Sequence, residues 1–165
     1  MENGLKGTYL LVLQVTQPLM ALSVGRLGIL DFSPGFYVYV GSAFGSGGLP
    51  ARLNYHHQKV KQHPHWHVDY LRQHADLVET WAVGCDVRLE LDWVTMLRKH
   101  PELLSSVRGF GSSDTSAPTH LFFKRTRPSP RLLTSTLVQT LEVANVPQTS
   151  IQLEIETYDT VEQRS

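Results

Sequence analysis

Apolar and polar residues follow one another along this chain in short blocks, and the rhythm of each block points to an element. Residues 7–15, GTYLLVLQV, form an apolar run rich in β-branched and aromatic side chains, bounded by Gly7 and by the Gln17-Pro18 pair. That length and composition predict a buried strand. A shorter extended stretch from about Ala21 to Val24 leads through glycines to the turn Ser33-Pro34-Gly35, after which FYVYVGSA predicts a second long strand. Alternation there puts Phe36, Val38 and Val40 on one face and Tyr37 and Tyr39 on the other, so that one face packs and the other presents phenols. The two long strands are expected to pair antiparallel, across a connection too long for a tight hairpin.

Helical spacing dominates next. The Gly- and Ser-rich GSAFGSGGLP reads as a flexible loop feeding a helix from about Pro50, with Arg52 and His56 one turn apart on a shared face. HWHVDYLRQHA predicts a short helix with Trp66 and Tyr70 on one side. Residues 77–85, LVETWAVGC, predict a third strand, and RLELDWVTMLRK over 88–99 a helix that turns Leu89, Trp93, Met96 and Leu97 inward and leaves Glu90 on the other face. Then come the loop FGSSD, a short strand THLFF, a turn over Pro128 to Pro130, a helix over Arg131 to Val143, and strand-like alternation over Ile151 to Ile155. Beyond Thr157 the chain is expected to be disordered. Strands and helices interspersed in this order predict an α+β fold.

Composition narrows the partners and the chemistry. The chain has 165 residues, 41% of them apolar, enough for one core. No run of about 18 apolar residues occurs, and Glu2 and Asn3 do not open a secretory leader, so a soluble cytoplasmic protein without membrane contact is expected. Cys85 is the single cysteine, which excludes an intramolecular disulfide and any paired-cysteine metal site. The net charge is zero, but it is unevenly spread. Residues 48–74 carry Arg52, Lys59, Lys61 and Arg72 against Asp69, with six of the eight histidines, and 98–131 carry seven Lys or Arg against Glu102 and Asp114, whereas the last 24 residues are acidic. A basic body with an acidic tail is compatible with a nucleic-acid partner, as it is with ordinary solvated faces.

In chain order the candidate reactive groups are Tyr9, Tyr39, Arg52, His56 and Glu90, with Ser42 and the HWHVDY histidines nearby. These types suit phosphodiester hydrolysis, which needs a base for water, a cation beside the phosphate and a carboxylate for a divalent metal. Tyr39 is the expected base, a phenol near pKa 10 that serves only beside a cation that lowers it, with His56 as the alternative base and Tyr9 positioning water or phosphate. Asp69 and Glu79 are rival carboxylates to Glu90. His65 and His67 lie two apart, a spacing that does not turn both rings of a helix to one zinc ion. Trp66, His67, Asp69 and Tyr70 instead suggest a hydrogen-bonded wall, which Asp114 and His120 could approach.

This ordered set resembles the GIY-YIG nuclease superfamily. The resemblance places the family's first tyrosine on Tyr9, its second on Tyr39 with the glycine on Gly41, its arginine on Arg52, a histidine one turn later on His56, and its metal-binding glutamate on Glu90, 38 residues beyond Arg52. It implies a small antiparallel three-stranded sheet flanked by helices, one Mg²⁺ or Mn²⁺ on Glu90, and endonucleolytic cleavage of DNA. Tyr9, Tyr39, Arg52 and His56 would be catalytic, with Gly41, Ser42, His67 and Asp69 positioning substrate. A closer resemblance, carried by GFYVYVGSA, HWHVDYL and FGSSD ahead of THLF, is to a branch of that superfamily found alone or fused to base-excision glycosylases. That branch usually carries cysteines where this chain has Leu91, Thr115 and Ala117. The implied organisation is a domain over 5–125, an extension over 126–157 and a disordered tail over 158–165. Two other readings stand beside it: a non-catalytic nucleic-acid-binding module on the same fold, and a protein-interaction domain using the acidic tail.

Overall fold

The computed structural model describes residues 4–147 and 152–158. The longest apolar run forms the centre of the sheet, because only a strand covered on both faces can bury every side chain. This is β1 (Gly7–Val15), whose residues are buried except Gln14. It pairs antiparallel along its whole length with β4 (Gly35–Ala43) on one side and with β5 (Asp76–Gly84) on the other. The expected antiparallel pairing of the two long strands is thus present.

The sheet is wider than the three strands expected. Its order is β6-β7-β4-β1-β5-β8, all antiparallel, with β6 at Leu104–Ser105, β7 at Leu121–Lys124 and β8 at Gln152–Thr157. The outer strands are short pieces that the free edges of β4 and β5 recruit to satisfy backbone groups. Leu153 and Ile155 of β8 stay exposed, so the apolar face expected there is not covered. The alternation read from Ile151 begins outside the described residues. Tyr158, placed in the expected disordered tail, donates its backbone N–H to Val78 O at 2.9 Å, and residues 159–165 lie outside the described set. A separate ribbon pairs β2 (Leu19–Ser23) with β3 (Ile29–Phe32) around a 3₁₀ turn.

Both faces of the sheet are covered. On one, Leu10, Val12, Val38, Val40 and Trp81 pack against α3 (Glu90–Lys99) through Trp93 and Leu97, and against α4 (Pro130–Val143) through Leu133 and Leu137. On the other, Tyr9, Leu11, Tyr37 and Tyr39 meet Leu49 of α1 (Gly48–His57), Val68 and Leu71 of α2 (His67–Arg72), and Phe110. The phenol face is therefore a second core layer, contrary to the open face read from alternation: Tyr37 is 2% and Tyr39 5% exposed. A tyrosine ring buries its body while its hydroxyl finds a partner or a rim. Among the described residues no helix is long and apolar enough to cross a membrane.

Candidate active site

Register brings the two tyrosine motifs together. Tyr9 stands directly opposite Gly41 across the β1–β4 ladder, and its ring lies over that glycine. A Cβ at Gly41 would come within 2.3 Å of the Tyr9 ring and hydroxyl, so the glycine is what lets the phenol cross β4. Gly111 does the same for the second tyrosine: its backbone is left-handed (φ +69°), and a Cβ there would meet Tyr39 Cε2 at 2.8 Å. The Tyr39 hydroxyl has no hydrogen-bond partner among the described residues, and both phenols line one cleft of about 600 Å³. Burial raises the pKa of both, with the Arg52 guanidinium pulling each the other way.

Behind Tyr9 the side chains form a buried chain of polar contacts. The Tyr9 hydroxyl is 2.8 Å from His56 Nε2. His56 is fully buried among the rings of Tyr55 and Trp66, and burial pushes its pKa down to about 3, so it is neutral at physiological pH. Among the described residues its Nδ1 has no hydrogen-bond partner, and it faces Asp69 Oδ1, likewise without one, at 4.0 Å. Asp69 Oδ2 accepts from Tyr55 Oη at 2.8 Å and from the backbone N–H groups of His65 and Trp66 at 2.8 and 2.9 Å, which caps α2 and fixes the carboxylate. Lys61 Nζ lies 3.5 Å from Oδ1. An anionic oxygen facing Nδ1 favours the tautomer with the proton there, leaving Nε2 to accept from Tyr9.

The front of the cleft carries the charges. Arg52 lies over the Trp66 ring, 4.1 Å from its centroid, and has no carboxylate partner among the described residues. Glu90, in the first turn of α3, is partly exposed, and its Oε1 is 3.2 Å from His120 Nδ1. Fully buried His120 also approaches Val40 O at 3.2 Å through Nδ1, and Thr115 Oγ1 at 3.0 Å through Nε2. The Val40 carbonyl on Nδ1 places the ring proton there, so His120 donates to Val40 O and Thr115 donates to His120 Nε2, while Glu90 Oε1 stands beside the same Nδ1. His67 Nδ1 accepts from Gly111 N–H at 2.9 Å, and burial lowers its pKa, which leaves a neutral ring with an Nε2–H donor.

The model of one family, described as Domain of unknown function DUF123, matches residues 8–143. The chain belongs to that family. No curated protein and no solved structure matches it. In this DUF123 domain the cleft gathers Tyr9, Tyr39, Gly41, Ser42, Arg52, His67 and Glu90, residues that the sequence singled out, from five separate elements, β1, β4, α1, α2 and α3. His56 and Asp69 stand one layer behind it, so His56 reaches the cleft only through Tyr9.

The rival carboxylates are otherwise engaged: Glu79 binds Arg127 at 2.7 Å and Trp81 Nε1 at 2.8 Å, while Asp69 serves the network just described. No three His, Cys, Asp or Glu side chains gather into a metal-holding group among the described residues. Glu90 does fit a single hard cation, because one oxygen rests 3.2 Å from His120 Nδ1 and the other has no protein partner among the described residues. Of the positions where the similar branch carries cysteine, Leu91 and Ala117 share one hollow beside α3, and Thr115 supplies its hydroxyl to His120. Sequence reasoning left out Phe44 and Arg88, which line the cleft together, Arg88 lying 4.3 Å over the Phe44 ring. No spacing rule links residues 44 apart on a loop and a helix approach, so nothing in the sequence pointed to them.

Proposed function

We propose that this DUF123 domain is a metal-dependent endonuclease of the GIY-YIG type that hydrolyses phosphodiester bonds in DNA. The observation that carries the reading is the convergence of Tyr9, Tyr39, Arg52 and Glu90 on one cleft, with His56 hydrogen-bonded to Tyr9 behind it. Glu90, its Oε1 beside His120 Nδ1, would hold one Mg²⁺ or Mn²⁺. When bound, such an ion offsets the charge that develops on phosphate oxygens and acidifies water.

The chain's own residues supply the rest. Tyr9 takes the proton of the attacking water while its own passes to His56 Nε2, and the imidazolium so formed points its Nδ1–H at Asp69. Burial keeps both the phenol and the His56 ring neutral at rest, so the proton moves along the pair only as the water's proton arrives, and the Arg52 guanidinium pulls the phenol toward its anion. Arg52, its face held by Trp66, offers the edge of its planar fork to the phosphate. Tyr39 Oη and His67 Nε2–H are donors without protein partners among the described residues in the same cleft, and fix the phosphate or the water.

The test is cleavage by purified protein of branched, nicked, single-stranded and duplex DNA, with Mg²⁺ and with EDTA. Cutting in Mg²⁺ that stops in EDTA is expected. Cutting that continues in EDTA, or binding with no cutting on every substrate, overturns the reading, and the second result favours a non-catalytic nucleic-acid-binding module.

A further inference from the structure

The cleft repeats one device. Arg52 lies over Trp66 at 4.1 Å and Arg88 lies over Phe44 at 4.3 Å, and all four residues line the same cavity. Surface arginines commonly pair with carboxylates, yet neither half-buried Arg52 nor exposed Arg88 has one among the described residues, although Asp86 is two positions from Arg88 in the chain. Stacking on a ring uses the face of a guanidinium and leaves its edge, with the N–H donors, free. It also removes much of the side-chain freedom that a ligand would otherwise have to freeze. An arginine held this way, with its edge on a cleft, is prepared for an anion that accepts two parallel hydrogen bonds.

We infer that Arg88, held by Phe44, is a second phosphate-binding residue, which takes the phosphodiester next to the one contacted by Arg52. The ligand is therefore a polynucleotide strand with consecutive phosphates, and a mononucleotide or an isolated diester occupies only half of the site. Phosphodiesters of DNA and RNA share this chemistry. The inference rests on the nuclease reading for the role of Arg52, and adds a residue to the cleft which that reading does not use.

Binding is measured in EDTA, so that no turnover occurs, by fluorescence anisotropy of a labelled single strand in DNA and RNA forms across a salt series. Short thymidine oligomers with one, two and three phosphodiesters serve as competitors. For wild type, the oligomer with two phosphodiesters should compete about tenfold better than that with one, the worth of one charged hydrogen-bonded contact. In Arg88→Gln the one- and two-phosphodiester oligomers should compete about equally, and the slope of log K against log salt should fall by about 0.7. Phe44→Leu, which keeps the apolar bulk but not the ring, should weaken the two-phosphodiester oligomer selectively. Arg108→Gln, an exposed arginine outside the cleft, should behave as wild type. An Arg88→Gln protein with the wild-type ladder and salt slope overturns the inference and leaves the nuclease reading standing. Failure of wild type to bind any DNA or RNA strand overturns both. Equal response of the DNA and RNA forms assigns the contact to phosphate, whereas loss confined to one of them overturns it as a phosphate contact.

Discussion

Replacing Asp69 with Asn changes one atom and separates the two jobs of this carboxylate. Its Oδ2 position accepts three hydrogen bonds, from Tyr55 and from the N–H groups of His65 and Trp66, so an asparagine must keep its carbonyl oxygen there. Its amide nitrogen then occupies the Oδ1 position, 4.0 Å from His56 Nδ1 and 3.5 Å from Lys61 Nζ. An NH₂ group facing Nδ1 favours the tautomer with the proton on Nε2, which turns the Tyr9 contact around, and the phenol can no longer hand its proton to the ring. A base lost from a proton-transfer chain costs about 10² to 10⁴ in rate, the upper end being that seen when a triad Asp becomes Asn.

Stability changes as well, because Lys61 is buried and loses its anion. Removing one partner of a buried pair costs about 3–5 kcal/mol. Here Lys61 keeps Gln58 O at 2.7 Å and the Tyr55 ring, so about 2–3 kcal/mol is expected, or roughly 5–10 °C in Tm for a chain of this size. The control is Lys61→Met, which breaks the same pair but leaves Asp69 facing His56. It should lose comparable stability and keep cleavage within a few-fold of wild type. Single-turnover cleavage and thermal unfolding of both variants make the comparison. Asp69→Asn protein that is folded and cuts within threefold of wild type would refute the proton-transfer chain.

Three further outcomes follow from the geometry. His56 titrates at about 3 in the fold and about 6.5 in the unfolded chain. The unfolded state thus binds more protons between those values, and stability falls as pH drops through that window, by up to about 1.4 kcal/mol per unit. Denaturant unfolding between pH 4 and 6.5 should therefore be steeper in pH for wild type than for His56→Gln, and equal slopes would contradict the burial argument. Gly41→Ala should displace the Tyr9 ring, lengthen its bond to His56 and cost about 1–3 kcal/mol of overpacking, with cleavage falling more than stability accounts for; unchanged Tm and rate would show that the ring has room. Arg52→Lys keeps the charge but loses the fork and the stack on Trp66, and a loss of about 10² to 10³ in kcat is expected, against which a near-wild-type rate would count.

The central strands were legible because two long apolar runs can be buried only in the middle of a sheet. Their register, which sets Tyr9 opposite Gly41, was not legible, because the connection between them is too long to fix it. β6 was not legible, since two residues carry no period, and β8 was legible as a strand but not as an exposed edge. The tyrosine face misled because alternation separates two faces without saying that both are covered; Val68 and Leu71 of α2 and Phe110 do the covering. In the site, residue types and their order found Arg52, His56 and Glu90, but not that His56 sits behind Tyr9. Contacts between a loop and a distant segment, such as His120 with Glu90 and Phe44 with Arg88, depend on where a loop folds back, which no local pattern encodes.

Metal-dependent cleavage stands or falls on Glu90, and the decisive measurement compares wild type with Glu90→Gln on the same DNA over a Mg²⁺ titration. Cleavage by wild type that saturates with Mg²⁺, and a folded Glu90→Gln protein slower by about 10³ or more, is the predicted result. Equal rates for the two proteins would contradict it.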